Sequence, residues 1–204
     1  NTTDGNIRYN ITGSLALGSL NSTNGHISLI ADTITDSGDA GNTDKDIAAQ
    51  NLRVVTSTTG GFGASDNHIH TTVGTLSVSA GTAGIFITEA DAITVGEVAE
   101  VITNRVKADG SVVGSSNTDA AQGDLNTTGA LVLQTTDGSI TTLAGSGAIT
   151  AAGNLLLKAG GATSDITLDS DVTSSAGHIS VDAGRDLLQN ADIEAETAGK
   201  TIDL

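Results

Sequence analysis

The chain has 204 residues, 37% of them hydrophobic and 16% charged, with one Tyr, two Phe and no Pro, Cys, Met or Trp. That is too apolar and too weakly charged for a disordered chain, and it lacks the large rings around which a single thick core is built. A formal charge of −16 repels phosphate backbones and anionic lipid heads, which excludes nucleic acid and membrane surfaces as partners, and no apolar run reaches the roughly 20 residues of a membrane span.

Taken in chain order, the apolar residues fall into short alternating runs separated by Gly, Asp, Asn, Ser and Thr. The first are "NIRYN", "HISLIAD", "NLRVVTS" and "TLSVSAG", whose leading apolar residues Ile7, Ile27, Leu52 and Leu76 stand 20, 25 and 24 apart. Further on, "ALVLQTT", "NLLLKAG" and "HISVDAG" begin at Ala130, Asn154 and His178, in steps of 24. Their leading residues are Leu131, Leu155 and Ile179, and Ile202 in "KTIDL" follows 23 later. One inward series is read through all of these. Each period holds three runs, as in "NLLLKAG", "DITLD" and "DVTSSAG". Within a run the apolar residues sit two apart, which puts them on one face of a strand.

Self-similarity at a fixed period is the signature of a solenoid. Three short strands per turn of about 24 residues, in parallel register, predict a right-handed parallel β-helix of roughly eight to nine rungs. A β-sandwich is the rival, but its cores carry Trp or Tyr and keep no such period. Two inward columns are expected, Leu131–Leu155–Ile179 and Ile149–Val172. With no Met to start it, Asn1 is read as a cut end, and 1–204 as a single β-helix segment of a longer polypeptide.

Three stretches depart from the rhythm. The acidic turn "DSGDAGNTDKD" gathers Asp36, Asp39, Asp44 and Asp46, hard oxygen ligands of the kind calcium takes in groups. These four are weak calcium candidates, because their spacing matches no defined loop. "GGFGASD", Gly60 to Asp66, resembles a calcium-binding nonapeptide with its Asp one place late, and it occurs once. Next to it His68 and His70 flank Ile69, so both imidazoles share a face without the further ligands zinc needs. His26 and His178, each preceding an Ile, are read as equivalent structural positions. The third stretch, Gly96 to Leu125, delays the register to about 30 residues between Val101 and Leu131. Within it "VITNRVKADGSVV" reads as a hairpin turning at Asp-Gly, and it holds Arg105 and Lys107, two of eight basic residues. Insertions in solenoids collect on one face, where they contact other molecules.

The stretch "GGFGASDNHIHTTVGTLSVSAGTAGIFITEADAITVGEV", with "NRVKADGSVV" and "TTDGSITTLAGSG" after it, resembles the repeat region of giant bacterial surface exoproteins, the filamentous-haemagglutinin-like and autotransporter-like adhesins. The resemblance spans nearly the whole chain and is a pattern of repeats, not a catalytic motif. It implies an extracellular, secreted location and a non-enzymatic role as shaft or spacer in attachment to cells or surfaces. Partners would be the flanking rungs of the parent protein and a surface receptor or glycan of another cell. A ligand-binding adhesin module is the alternative. A polysaccharide-active enzyme is a third reading, opposed by scattered basic residues and by the lack of sugar-stacking rings. No catalytic residue and no cofactor other than calcium is expected.

Overall fold

The computed structural model describes residues 1–38 and 44–204, and its strands close about eight rungs. Rung 1 holds β1 (Ile7–Asn10) and β2 (Leu15–Leu17). Rungs 2 to 4 each pair one long strand with a shorter one: β3 (Leu20–Ala31) and β4 (Ile34–Asp36), β5 (Ile47–Thr56) and β6 (Gly61–Phe62), β7 (Ile69–Ala80) and β8 (Gly84–Glu89). Rung 5 starts with β9 (Ile93–Val95), is interrupted by β10 (Val101–Val106) and β11 (Val112–Asp119), and resumes with β12 (Leu125–Thr127) and β13 (Leu131–Thr135). Rungs 6 to 8 have three strands each. They are β14 (Ile140–Thr142), β15 (Ile149–Ala151) and β16 (Leu155–Ala159); β17 (Ile166–Leu168), β18 (Val172–Ser174) and β19 (Ile179–Ala183); β20 (Leu187–Gln189), β21 (Ile193–Ala195) and β22 (Ile202–Asp203). Every strand except β10 and β11 belongs to one continuous hydrogen-bonded network, and its pairings are parallel. The fold is a parallel β-solenoid with a spacing of about 24 residues, and the described residues contain no helix.

Three walls enclose one apolar core. On the second wall a single inward column runs through all rungs: Leu15, Ile34, Phe62, Ile85, Leu131, Leu155, Ile179 and Ile202. On the first wall Tyr9, Leu29, Val54, Val78, Leu125, Ile149, Val172 and Ile193 form another. Both expected columns are therefore present. Stacking like on like suits Ile, Leu and Val, whose branched side chains fit a pleated surface and pack against the equivalent residue above and below. From Ile27 to Ile179 the core members are almost fully buried.

The upstream alignment needs correction. Ile7, Ile27, Leu52 and Leu76 do form a ladder, but on the first wall, not in line with Leu131. Leu76 leads on to Val95 of the third wall. The two walls end in like sequences, "SVSAG" and "LLKAG", because both must turn a tight corner. The corner glycines show why: a Cβ on Gly81 would lie 2.3 Å from Thr58 O, and one on Gly160 would lie 2.4 Å from Thr135 O. Only glycine allows such stacked backbone. The delayed register through Val101 is also corrected. Val101 is fully buried, yet it pairs antiparallel with Asp119 in the β10–β11 hairpin and belongs to no rung.

Candidate functional site

The acidic turn lies where the second wall meets the third, in rungs 2 and 3. Asp36 ends β4, while Asp44 and Asp46 lead into β5; with Lys45 they border an open pocket of about 480 Å³. Asp39 lies outside the described residues. Asp46 is 2% exposed and accepts the His70 backbone N–H at 2.8 Å. Burial is the main cause that pushes its pKa up to about 7; a hydrogen bond shared with Asp36 and the charges of Asp36 and Asp44 add to it, against the His70 bond. A hydrogen bond between two carboxyl groups needs a proton between them. Among the described residues Oδ2 of Asp36 is buried with no N–H or hydroxyl donor, which fits a proton held by the pair. The turn relieves its crowding of charge by keeping a proton.

His70 stands directly over Asp46, its Nδ1 4.0 Å from Asp46 Oδ2. The next residue, Thr71, points inward and donates to Glu89 Oε2 at 2.7 Å. Glu89 is fully buried, and also accepts N–H bonds from Val73 at 3.1 Å and Ala90 at 3.0 Å. Burial foremost, with a hydrogen bond that the protonated Glu89 donates to the Asp91 side chain, raises its pKa to about 7 against the pull of Thr71 and the backbone donors. Glu89 occupies the inward line of Ile85 and Ile87, at the corner where β7 leaves the second wall. There it satisfies backbone groups that the bend takes out of the ladder. The rhythm of "GIFITEAD" carried that signal, since Glu89 follows two inward apolar residues at period two, and the sequence reading passed over it.

A shallow pocket of about 320 Å³ opens beside these groups, lined by Lys45, His70, Thr71, Thr88, Ala90 and Thr136. His68 sits on its flank, bonded through Nδ1 to Thr88 Oγ1 at 2.9 Å and tilted over Phe86. Burial, then the neighbouring His70, lowers the His68 pKa. Both imidazoles do share a face, with Ile69 fully buried between them. Among the described residues no three His, Asp or Glu side chains are grouped to hold a metal ion. In the nonapeptide-like stretch the glycines answer backbone needs. A Cβ on Gly60 would fall 1.6 Å from Asp32 O, and Gly63 has φ +80° with Phe86 O 2.3 Å from its would-be Cβ. Asp66 is exposed at the turn tip.

Nor does the carboxyl pair suit glycoside cleavage. The two carboxylates of such a site stand about 5–9.5 Å apart, with the sugar between them, whereas Asp36 and Asp46 share one hydrogen bond. Glu89 is sealed from solvent. His26 and His178 lie on different walls and each tie one rung to the next, through Asn51 at 2.8 Å and Thr201 at 2.8 Å. Their equivalence is lost but their structural role stands.

The insertion is the most elaborate feature of the surface. Lys107 to Gly110 form the hairpin turn, with Gly110 at φ +80°. Its stem folds back along the outside of the first wall. Arg53 reaches Ala120 O at 3.0 Å on rung 3, Ser28 donates to Asp119 at 2.7 Å on rung 2, and Arg8 makes a two-toothed bond to Asp119, both arms 2.9 Å, on rung 1. Asn6 then donates to Ile102 O at 3.1 Å. Burial disfavours the Asp119 carboxylate, but the Arg8 and Ser28 bonds and the charges of Arg8 and Arg53 outweigh it and hold the pKa below the usual range. Beneath this stem Ser28 is fully buried, and so is Ser77 beneath Gly123 and Asp124, which follow it. The fork escaped the sequence reading because its partners are 111 residues apart.

No protein-family model matches the chain, and no curated protein or solved structure is significantly similar to it.

Proposed function

We propose that this chain is a non-enzymatic structural segment, a shaft or spacer, of a large secreted or cell-surface bacterial adhesin. The observation that carries this reading is the second-wall column from Leu15 to Ile202, which stacks without a break from rung 1 to rung 8. Stability in such a rod comes from stacked neighbours, so its length can vary without redesign of a core. At ~4.8 Å per rung, eight rungs extend roughly 40 Å. The resemblance of the repeats to exoprotein shafts supplies the extracellular setting. Flanking rungs of a parent protein and, beyond them, a receptor or glycan are the partners this role implies.

The test is direct. On glycan arrays and cultured cells the purified chain is expected to show no saturable binding. Inserted between a surface and an unrelated adhesive domain, it should lengthen the reach of that domain and leave its affinity unchanged. One observation favours a second reading, a binding module: the hairpin tip exposes Arg105, Val106, Lys107 and Val112 together. Saturable cell or glycan binding that is lost in Arg105→Glu/Lys107→Glu would replace the spacer by that module. Release of sugar products from a polysaccharide panel would overturn both.

A further inference from the structure

Along the late rungs each wall strand pairs with its equivalents one rung before and one rung after, and with nothing farther. Those hydrogen bonds point along the axis, with ~4.8 Å from strand to strand. Axial tension therefore unzips such a stack from an end, one rung at a time, since only neighbours are joined.

The insertion departs from that rule. It is rooted in rung 5, between β9 and β12, where Val98 and Gln122 exchange backbone N–H bonds at 2.8 and 3.0 Å. From that root the segment 119–124 runs along the axis. Ser77 of rung 4 donates to Gly123 O at 2.7 Å, and Gln122 donates through Nε2 to Val54 O of rung 3 at 3.0 Å. Arg53, also on rung 3, holds Ala120. Asp119 ends the climb, accepting from Ser28 on rung 2 and from both arms of Arg8 on rung 1. At ~3.3 Å per residue the five steps from Asp124 to Asp119 reach about 17 Å, enough for the ~14 Å from rung 4 to rung 1. Covalent chain here lies in parallel with the ladders.

The far end of this segment is also its firmest point. The Arg8–Asp119 fork is charge-assisted and two-toothed, and both side chains are largely buried, so it is strong, directional and little screened by salt.

We propose that the insertion is an axial strap, which ties rungs 1 to 5 into one mechanical unit that holds until the Arg8–Asp119 fork lets go and then yields as a whole. The order of strengths explains the collective release. Rung 1 is the rung held best, so a tension that breaks the fork already exceeds what the rungs behind it withstand. Rungs 6 to 8 have no such tie among the described residues. Their ion pairs, Lys158–Asp182 and Arg185–Asp165, join adjacent rungs only. The strap does not rest on the adhesin reading, because binding and reach do not report on how the rod yields.

Stretching the 204-residue chain in an optical trap, held at Asn1 and Leu204, tests it. Rungs 6 to 8 are expected to leave in separate steps, each lengthening the chain by roughly 80 Å. Residues 1–135 should follow in a single step of more than about 400 Å. Arg8→Ala and Asp119→Asn should each break that large step into rung-sized ones. Lys158→Ala, at an exposed pair, should leave the pattern as it was. Step size separates a strap from a bond that only stabilises, which would lower the forces and keep the large step whole. The parent chain decides even where a variant fails to fold. Rungs 1 to 5 that leave it one at a time overturn the proposal, as does a single large step that survives both substitutions.

Discussion

In rungs 2 to 4 the strands β3, β5 and β7 run for 12, 10 and 12 residues and pass around a corner, whereas in rungs 6 to 8 no strand exceeds five. The late rungs close the corner between the first and second walls with stacked glycine and a small hydroxyl. Ser174, for instance, donates to Gly153 O at 2.7 Å and accepts from Gly177 N at 2.9 Å. The early rungs instead use ionisable groups: Asp46 and Glu89 at corners, and Asp119 brought in from the insertion. A uniform turn needs only local chemistry. An irregular one leaves backbone groups unmatched, and buried carboxyls are then recruited to satisfy them. The comparison therefore separates rungs whose ion pairs, Lys158–Asp182 and Arg185–Asp165, stay at the exposed surface from rungs whose stability hangs on buried ionisable groups.

The largest expected effect falls in the uniform half. Leu155 is 2% exposed between Leu131 and Ile179. Leu155→Asp places an unpaired charge between rungs and should cost about 3–5 kcal/mol or prevent folding. Leu143→Asp, at a site 42% exposed, should change stability by less than about 0.5 kcal/mol. Equal denaturation midpoints for the two variants would show that the column bears no load.

Next comes the early half. The Arg8–Asp119 pair is largely buried, with side chains 17% and 5% exposed. Arg8→Ala strands a buried carboxylate and should cost about 2–4 kcal/mol. Loss of the stem should also speed proteolysis at Lys107 and hydrogen exchange in β10, while rungs 6 to 8 exchange as before. Unchanged exchange in β10 would mean that the stem is held by its own fully buried Val101 and by the fully buried Val98 just before it.

A smaller effect is set by pH. Asp46 and Glu89 titrate near 7 in the folded chain against ordinary values of 3.8 and 4.5. The folded state holds these protons more tightly than the unfolded state. The stabilisation is therefore complete below the ordinary values and is lost as pH rises to about 7. His68 opposes this, since its lowered pKa means the fold loses stability as pH falls through 6.5. With two groups against one, the chain should be more stable at pH 5 than at pH 8 by about 1–3 kcal/mol after allowance for solvent screening. Asp46→Asn with Glu89→Gln should flatten that slope in melting experiments. A profile that rises toward pH 8 would refute the proton-holding account.

How legible these halves are in sequence follows from the same contrast. From Leu131 onward a rung's strands, corners and column repeat at 24 residues, so the pattern alone yields the register. Upstream, long strands blur the boundary between walls, and Leu76 and Leu131 look like members of one series when they are not. The carboxyl chemistry was half visible. Asp36, Asp44 and Asp46 stand out as an acidic turn, but the donor that organises Asp46 is a backbone N–H one rung away. Glu89 is marked by its place in the period-two rhythm of β8, whereas Asp119 depends on partners 111 and 91 residues away, which no local pattern encodes.

The smallest effect concerns calcium. A charge of −16 makes any salt relieve self-repulsion somewhat, whereas a specific site stabilises at low ion concentration by mass action. In the acidic turn the competitor of the ion is a proton, since Asp46 keeps one near neutral pH and gives an oxygen to the His70 N–H. Calcium takes six to eight oxygens, and binding here would require that proton to leave and a buried carboxylate to turn outward. Millimolar calcium is therefore expected to raise stability by no more than about 0.5 kcal/mol beyond sodium at equal ionic strength. Asp36→Asn and Asp44→Asn should not alter that difference. A large shift in melting temperature at micromolar calcium, removed by Asp44→Asn, would make the early half a metal-dependent one, and its stability would then rise, not fall, as Asp46 loses its proton.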